Sequence, residues 1–167
     1  LVGGTFTTYS GSTANRIVRI NPSGSIDADF NTGTGFSSGV YTIFQQSDGK
    51  ILVGGGFTTY AGSAASRITR LNPSGSIDTD FKIGTGFTGF TTTTNLIFQQ
   101  SDGKILVKGA STTYSGSSVP NVFRINPSGS VDTNSPISLV GASSIIQRPD
   151  DKILIVGAST TYSGSVS

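Results

Sequence analysis

The stretch that decides the fold is Phe44-Gln-Gln-Ser-Asp-Gly-Lys-Ile-Leu-Val53, which returns unchanged as Phe98–Val107 and in altered form as Ile146–Ile155. Its Asp-Gly pair accepts the positive φ angles of a tight hairpin turn. The Ile-Leu-Val run after the turn has no polar alternation, as expected for a strand that is covered on both faces. The stretch therefore predicts a β-hairpin with a buried second strand, present three times.

Two further segments recur on either side of this hairpin. Gly-x-Phe-Thr-Thr-Tyr occurs at Gly4–Tyr9 and Gly55–Tyr60, and Asn-Pro-Ser-Gly-Ser begins at Asn21, Asn72 and Asn126. The repeat tyrosines are spaced 51, 54 and 48 residues apart. They are Tyr9, Tyr60, Tyr114 and Tyr162. A fixed period of this size indicates a repeat architecture.

The period varies in only one stretch of each repeat. The distance from the Asn-Pro asparagine to the lysine of the next hairpin is 29, 32 and 26 residues. Length variation of this kind is typical of surface loops, so we expect inter-blade loops at residues 33–42, 84–96 and 135–144. The remaining part of one repeat predicts four strands, at Tyr41–Gln46, Lys50–Thr58, Ser66–Leu71 and Ser76–Phe81.

Four antiparallel strands in about 50 residues are typical of a β-propeller blade. We therefore predict an all-β fold, a β-propeller-like array of four-stranded antiparallel blades with about three repeats of 48–54 residues. The array is one repeat domain over residues 1–167. It divides into a partial blade at 1–36, full blades at 37–90 and 91–140, and a partial blade at 141–167.

Composition excludes several classes of site. The chain has 167 residues, 12% of them charged, a formal net charge of +2, and no His, Cys, Met or Trp. A disulfide framework, a zinc site of the usual ligands and a histidine general base are therefore excluded. Charges form no block, and no apolar run approaches the ~20 residues of a membrane span, so we expect neither nucleic-acid binding nor membrane insertion. No cofactor is expected.

The pattern Gln-Ser-Asp-Gly-Lys-Ile-Leu-Val-Gly-Gly-x-Phe-Thr-x-Tyr, followed by Arg-Ile-x-Arg-Leu-Asn-x-x-Gly-Ser-Ile-Asp-x-x-Phe and Gly-x-Gly-Phe, resembles the delta-60 repeat. This propeller-like repeat is found in bacterial secreted and surface proteins and in some phage virion proteins. The resemblance implies a scaffold or adhesion role without catalytic residues. The third repeat departs from the pattern at Lys108, Asn121 and 134–136, and the fourth, partial copy at Asp151.

Two carboxylates in the first repeat, Asp27 and Asp29, allow three interpretations. With Asn31 they resemble the start of a calcium-binding loop, although no glutamate exists to complete it. Two apart on a strand, they could form the carboxylate pair of a retaining glycosidase. We favour a third interpretation, in which the aspartates cap turns and pair with neighbouring arginines. The expected partners are Arg16, Arg19, Arg67 and Arg70.

Hydroxyl and aromatic side chains supply the other candidates. Tyr9, Tyr60, Tyr114 and Tyr162 are candidate surface contacts for carbohydrate or protein, and the alternative that we favour packs each ring over its own blade. Thr91, Thr92, Thr93 and Thr94 are candidate O-glycosylation sites. The Ser-x-x-Lys matches at Ser47–Lys50 and Ser101–Lys104 coincide with the hairpin turn, so we interpret them as structural.

These observations predict a non-enzymatic structural or adhesive module of an extracellular fibre, cell-surface protein or virion appendage that assembles through blade edges. The alternative is a lectin-like propeller that binds carbohydrate or protein with its inter-blade loops and tyrosines. Expected partners are copies of the chain or adjacent repeats of the same polypeptide, and surface glycans. The chain begins inside a strand-like segment, and we expect it to be a piece of a longer polypeptide outside the cell.

Overall fold

Antiparallel β-strands are the regular secondary structure of this protein, as the composition predicts. The computed structural model describes residues 1–88, 94–110, 113–135, 138–139, 142–148, 152–157 and 162–163. The strands are β1 (Val2–Gly3), β2 (Thr8–Tyr9), β3 (Ser12–Thr13), β4 (Ile17–Val18), β5 (Val40–Gln45), β6 (Ile51–Gly55), β7 (Thr59–Tyr60), β8 (Ser63–Ala64), β9 (Ile68–Leu71), β10 (Thr94–Gln99), β11 (Ile105–Gly109), β12 (Thr113–Tyr114), β13 (Ser117–Ser118), β14 (Val122–Ile125), β15 (Ser138–Leu139), β16 (Ala142–Gln147), β17 (Ile153–Gly157) and β18 (Tyr162–Ser163).

The predicted hairpin organises each repeat. Strands β5 and β6 pair with Phe44 opposite Leu52. At the turn between them the Asp48 carboxylate accepts a hydrogen bond from the Lys50 backbone N–H at 3.0 Å, and Gly49 adopts a φ of 81°. Strand β9 pairs with the other edge of β6 to give a three-stranded sheet. The next repeat builds a five-stranded sheet in the order β10-β11-β14-β15-β18.

The predicted fourth strand at Ser76–Phe81 is wrong. In this segment the structure forms only an isolated bridge between Leu71 and Ile77. The chain then turns, because the Asp78 carboxylate accepts a hydrogen bond from the Asp80 N–H at 3.1 Å. The second strand is also shorter than predicted, since it ends at Gly55 and a small hairpin of β7 and β8 follows.

The hydrophobic core lies between consecutive sheets. Leu52 and Ile68 of one repeat share a buried cluster with Ile105 and Val107 of the next. Their sheets approach closely at Gly54, where a Cβ atom would lie 2.6 Å from Thr94 Cγ2. The repeats therefore stack face to face, and the central strands β6 and β11 are covered on both faces.

The predicted loops were too long at their ends. Residues 40–42, 94–96 and 142–144 lie in the first strands of their hairpins, and residues 138–139 form β15. The length difference between the first two copies falls between Phe36 and Val40 in one and between Phe87 and Thr94 in the other. Residues 89–93 of the longer copy lie outside the described residues.

Candidate functional site

An arginine–aspartate pair recurs in each of the three repeats. Arg19 and Asp27, Arg70 and Asp78, and Arg124 and Asp132 are joined from Nε to Oδ2 at 2.7, 2.6 and 2.7 Å. Lys50 and Lys104 join the second and third pairs, each at 2.8 Å. The predicted pairing of repeat aspartates with arginines is thus confirmed for Arg19 and Arg70.

The surroundings of these carboxyl groups favour the charged form. Burial by itself would raise the pKa of Asp78, but hydrogen bonds from Lys50, the Asp80 backbone and Arg70 outweigh it and lower the pKa to about 2. The same combination lowers the pKa of Asp132, and the hydrogen bond from Arg19 lowers that of Asp27. These groups remain ionised at neutral pH and do not serve as proton donors there.

Two of these arginines, Arg19 and Arg70, also connect one repeat to the next. Arg19 Nη1 donates to the Pro73 carbonyl at 2.6 Å, and Arg70 Nη1 donates to the Pro127 carbonyl at 2.8 Å. Each guanidinium also lies over a phenylalanine ring of its own repeat, 4.9 Å from the Phe30 centroid for Arg19. The signal that sequence reasoning missed is the Asn-Pro turn itself, whose carbonyl group accepts these bonds.

A second arginine contact at the junctions, which we term the arginine clasp, joins Arg16 to Phe36 and Arg67 to Phe87 at the end of the same repeat. Each phenylalanine ring then packs against the tyrosine of the next repeat, Tyr60 or Tyr114, with ring centroids 4.4 and 5.0 Å apart. Arg16 Nη1 donates to the Phe36 carbonyl at 2.7 Å, and Arg67 Nη1 donates to the Phe87 carbonyl at 2.9 Å. The expectation that Arg16 and Arg67 pair with repeat aspartates was wrong. Both adopt positive φ angles, of 70° and 65°, which turns their side chains toward the Gly-x-Gly-Phe segment.

The candidate surface tyrosines Tyr60 and Tyr114 are buried, with exposures of 1% and 0%, so their assignment to surface contacts is corrected. Their hydroxyl groups donate to the Gly75 and Gly129 carbonyls at 2.6 and 2.7 Å, and burial raises their pKa. The small hairpin turns each ring inward, as the favoured alternative predicts. Tyr9 is half-buried and makes the same bond to Gly24 at 2.9 Å. The Tyr162 side chain lies outside the described part of the chain.

Of the four candidate glycosylation sites, Thr94 is corrected. Thr94 lies in β10 with an exposure of 0%, so its hydroxyl is not accessible to a glycosyltransferase. Its buried Oγ1 and the Gln46 Oε1 atom lack a hydrogen-bond partner among the described residues. Thr91, Thr92 and Thr93 lie outside the described residues.

Asp27 and Asp29 do not act as a pair, because Asp27 is held by Arg19 whereas Asp29 lines a groove between two repeats. Asp27 Oδ2 accepts from Arg19, and its Oδ1 accepts from the Asp29 backbone N–H at 3.0 Å. Within the described ranges, no group of three or more His, Cys, Asp or Glu side chains could hold a metal ion. At the Ser-x-x-Lys match, Lys50 Nζ is bound to Asp78, so this amine is engaged in an ion pair.

Asp29 and Asn31 instead line a groove of mixed polar and apolar surface between the first two repeats. The groove has a volume of about 510 Å³. Its other walls are the small hairpin of β7 and β8 and the Asn-Pro turn of the second repeat, contributing Ser63, Ser74 and Ser76. The Asn31 N–H donates to the Ser74 carbonyl at 2.8 Å, which fixes the two walls against each other. Exposed carboxylate, amide and hydroxyl groups can hydrogen-bond a polar ligand.

Comparison with known proteins identifies the repeat. A family described as a domain of unknown function (DUF5122) β-propeller matches residues 1–30, 46–81 and 100–134, more than half of the chain. The chain belongs to this family. The matched segments of the DUF5122 β-propeller contain strands β6 and β11, Tyr9, Tyr60 and Tyr114, and the three arginine–aspartate pairs. No curated protein and no solved structure matches the chain. Among the described residues, no helix has the length and hydropathy to cross a membrane.

Proposed function

We propose that this DUF5122 β-propeller is a non-enzymatic structural or adhesive module of an extracellular fibre, cell-surface protein or virion appendage. The proposal rests on one observation, that the recurring arginine side chains form hydrogen bonds at the junctions between repeats. Arg19 and Arg70 bind the Pro73 and Pro127 carbonyls of the following repeat, and Arg67 binds Phe87. The residues that the repeat retains are therefore used to join repeats into a continuous array.

The proposed absence of catalysis is supported by the state of the candidate catalytic groups. A general acid or base needs a shifted pKa and a free position toward a substrate. Asp27 is bound by Arg19, and Lys50 is bound by Asp78. The extracellular setting is supported by the resemblance to delta-60 repeats of secreted, surface and virion proteins.

Deletion of residues 1–167 in the native source tests this proposal. We expect loss of attachment or of appendage assembly, together with detection of the module on intact cells or particles by an antiserum. A matched Asp29→Asn replacement, which spares the joints between repeats, should leave both properties unchanged. Normal attachment and assembly after the deletion, or detection only inside cells, would overturn the proposal.

The second candidate function is lectin-like binding, and the groove beside Asp29 and Asn31 favours it. Because Tyr60 is buried, recognition there would rely on hydrogen bonds to sugar hydroxyl groups rather than on ring stacking. We expect saturable binding of the intact chain on a glycan array, abolished by Asp29→Ala. Asp80→Ala at the corresponding position of the next repeat is the matched control. Binding unaffected by Asp29→Ala would reject this groove.

A further inference from the structure

We propose that the groove beside Asp29 and Asn31 binds an amino sugar whose free, positively charged amine meets the Asp29 carboxylate. A neighbouring hydroxyl group of the sugar meets Ser74 and Ser76 on another wall of the groove. This inference rests on the lectin-like candidate function and names the class of sugar that the site takes.

The groove lies at an internal junction, and the next junction shows that neighbouring repeats leave this place open. There the Lys82 backbone N–H donates to the Ser128 carbonyl at 2.7 Å, as that of Asn31 does to Ser74 at 2.8 Å. This second junction has described residues of a further repeat on either side. The polar residues at corresponding positions are nevertheless exposed, namely Asp80, Lys82, Ser117, Ser128 and Ser130.

The Asp29 carboxylate is the charged group of the groove. The other residues that line the groove carry no charge. Asp29 is exposed, and among the described residues it forms no ion pair. Its neighbours Arg19 and Asp27 compensate each other at 2.7 Å. The groove therefore carries one uncompensated negative charge, which attracts a cationic ligand.

The serine pair Ser74 and Ser76 supplies a hydrogen-bond donor. Asn72 Nδ2 donates to Ser76 Oγ at 3.0 Å, and the two serine hydroxyl oxygens lie 3.1 Å apart. One hydroxyl hydrogen lies between these oxygens, so the other remains to donate to a ligand whichever serine donates within the pair. Asn31 Oδ1 accepts from the Gly33 N–H at 2.9 Å, which leaves the Asn31 Nδ2 as a further donor.

An amine next to a hydroxyl group is the chemistry that complements these groups. A charged amine donates to the carboxylate in a charge-assisted hydrogen bond, which is roughly twice as strong as a neutral one. The hydroxyl oxygen beside it accepts from the serine pair, and Ala61 and Ile77 offer apolar surface to the C–H groups of a sugar ring. The volume of about 510 Å³ lies within the range of about 300–1,000 Å³ that is common for small-molecule sites.

The groove at the second junction differs in charge, so it provides an internal control. Lys82 stands there in place of Asn31, and Ser115 in place of Ala61. The Lys82 ammonium group, two residues from Asp80, offsets the charge of that carboxylate and repels a cationic ligand. We therefore expect the first groove to bind an amino sugar and the second to bind none.

Equilibrium dialysis of the full chain against four probes tests the proposal at about pH 6, where the amine of glucosamine is protonated. We expect glucosamine to bind about tenfold more tightly than glucose, N-acetylglucosamine or n-butylamine. Asp29→Asn should remove this preference, and Asp80→Asn is the matched control that should retain it. The double variant Lys82→Asn and Ser115→Ala should double the number of glucosamine sites per chain.

Four results would overturn the proposal. Glucosamine bound no more tightly than glucose removes the amine, while the lectin-like function then stands on the glucose binding. Butylamine bound as tightly as glucosamine removes the sugar. A preference that survives Asp29→Asn removes the carboxylate, and a double variant without an added site removes charge as the difference between the grooves. Binding of none of the sugars removes both this proposal and the lectin-like function. Circular dichroism establishes that each variant is folded.

Discussion

The junction between the second and third repeats and the junction after the third repeat are built differently. At the first of these, Arg67 clasps Phe87 and Arg70 reaches the Pro127 carbonyl. After the third repeat, Asn121 stands at the clasp position and donates to Gly109 of its own repeat. Strand β15 instead pairs directly with β14, Leu139 opposite Val122. Arginine side chains that bind backbone carbonyl groups hold the first of these junctions, and a short strand pairs across the second.

The arginine of the ion pair shows the same contrast. Arg70 lies 4.8 Å from the ring centroid of Phe81. At the corresponding position of the third repeat stands Ser135, and Arg124 donates to Gln100 of its own repeat at 3.4 Å. The ion pair with aspartate is present in both cases. The comparison shows that the pair belongs to the single repeat, whereas ring stacking and the carbonyl contact accompany a clasped junction.

The largest expected effect is at the clasp itself. Phe87 is 1% exposed and packs edge-on against Tyr114 and Phe123, with ring centroids 5.0 and 5.7 Å away. We expect Phe87→Ala to lower the free energy of unfolding by about 3–5 kcal/mol in chemical denaturation, since it opens a cavity in the core between repeats. Tyr41→Ala, an exposed aromatic control, should cost less than about 1 kcal/mol. Equal losses would show that the Phe87 ring does not hold the junction.

The second prediction compares the two arginines. We expect Arg70→Ala to cost about 3 kcal/mol, because it leaves the buried Asp78 carboxylate with Lys50 alone. Arg124→Ala should cost about 1–2 kcal/mol less, since it loses neither a ring contact nor a carbonyl of the following repeat. Urea titrations of the two variants give the comparison. A larger loss for Arg124→Ala would contradict the account.

The third prediction concerns acid stability. The pKa of Asp78 is lowered from 3.8 to about 2, so its contribution to stability is complete above pH 3.8 and is lost as pH falls through 2. At about 1.4 kcal/mol per pKa unit, roughly 2 kcal/mol should disappear over this range. Denaturation at a series of pH values checks this. Asp78→Asn should flatten that part of the profile, and an unchanged slope would remove Asp78 as its source.

The last prediction concerns the close approach of two sheets at Gly54. A Cβ atom at Gly54 would lie 2.6 Å from Thr94 Cγ2 and 2.7 Å from Thr42 Cγ2. We expect Gly54→Ala to destabilise the protein by about 1–3 kcal/mol through overpacking. Gly56→Ala is the control, since its Cβ would meet its nearest neighbours at 3.4 and 3.5 Å. Thermal melts that rank the control as the more harmful change would contradict face-to-face stacking at Gly54.

Sequence reasoning found the parts of the fold that local chemistry determines. The Asp48-Gly49 turn and its flanking strands follow from positive φ and apolar patterning, and the pairing of Arg70 with Asp78 follows from their recurrence. The small hairpin was missed, although Ala61 and Gly62, with φ angles of 47° and 82°, form the two-residue turn that joins β7 to β8. The sequence signal for this turn was the Ala61-Gly62 pair, which stands between Thr59-Tyr60 and Ser63.

Contacts between repeats could not be predicted in this way. The sequence favoured an inward Tyr60 ring, but it did not show that the ring packs against Phe36 of the preceding repeat, with centroids 4.4 Å apart. The partners of Arg16 and Arg70 are backbone carbonyl groups of recurring segments, and because every residue has a carbonyl group, the recurrence alone does not show that an arginine binds there. The groove beside Asp29 and Asn31 could not be predicted either, because the serines that line it with these residues are more than 30 positions away along the chain.

Native-state hydrogen exchange across β6, β11 and β17 tests the central claim most directly. The claim is that arginine contacts lock the junctions between the first three repeats, whereas among the described residues Asn121 and Ser135 stand where the junction after the third repeat would need Arg67 and Phe81. We expect hydrogen-bonded amides of Ile51–Gly55 and Ile105–Gly109 to exchange only with global unfolding, and those of Ile153–Gly157 to exchange through a separate opening of lower free energy. Equal protection of all three strands would contradict the claim.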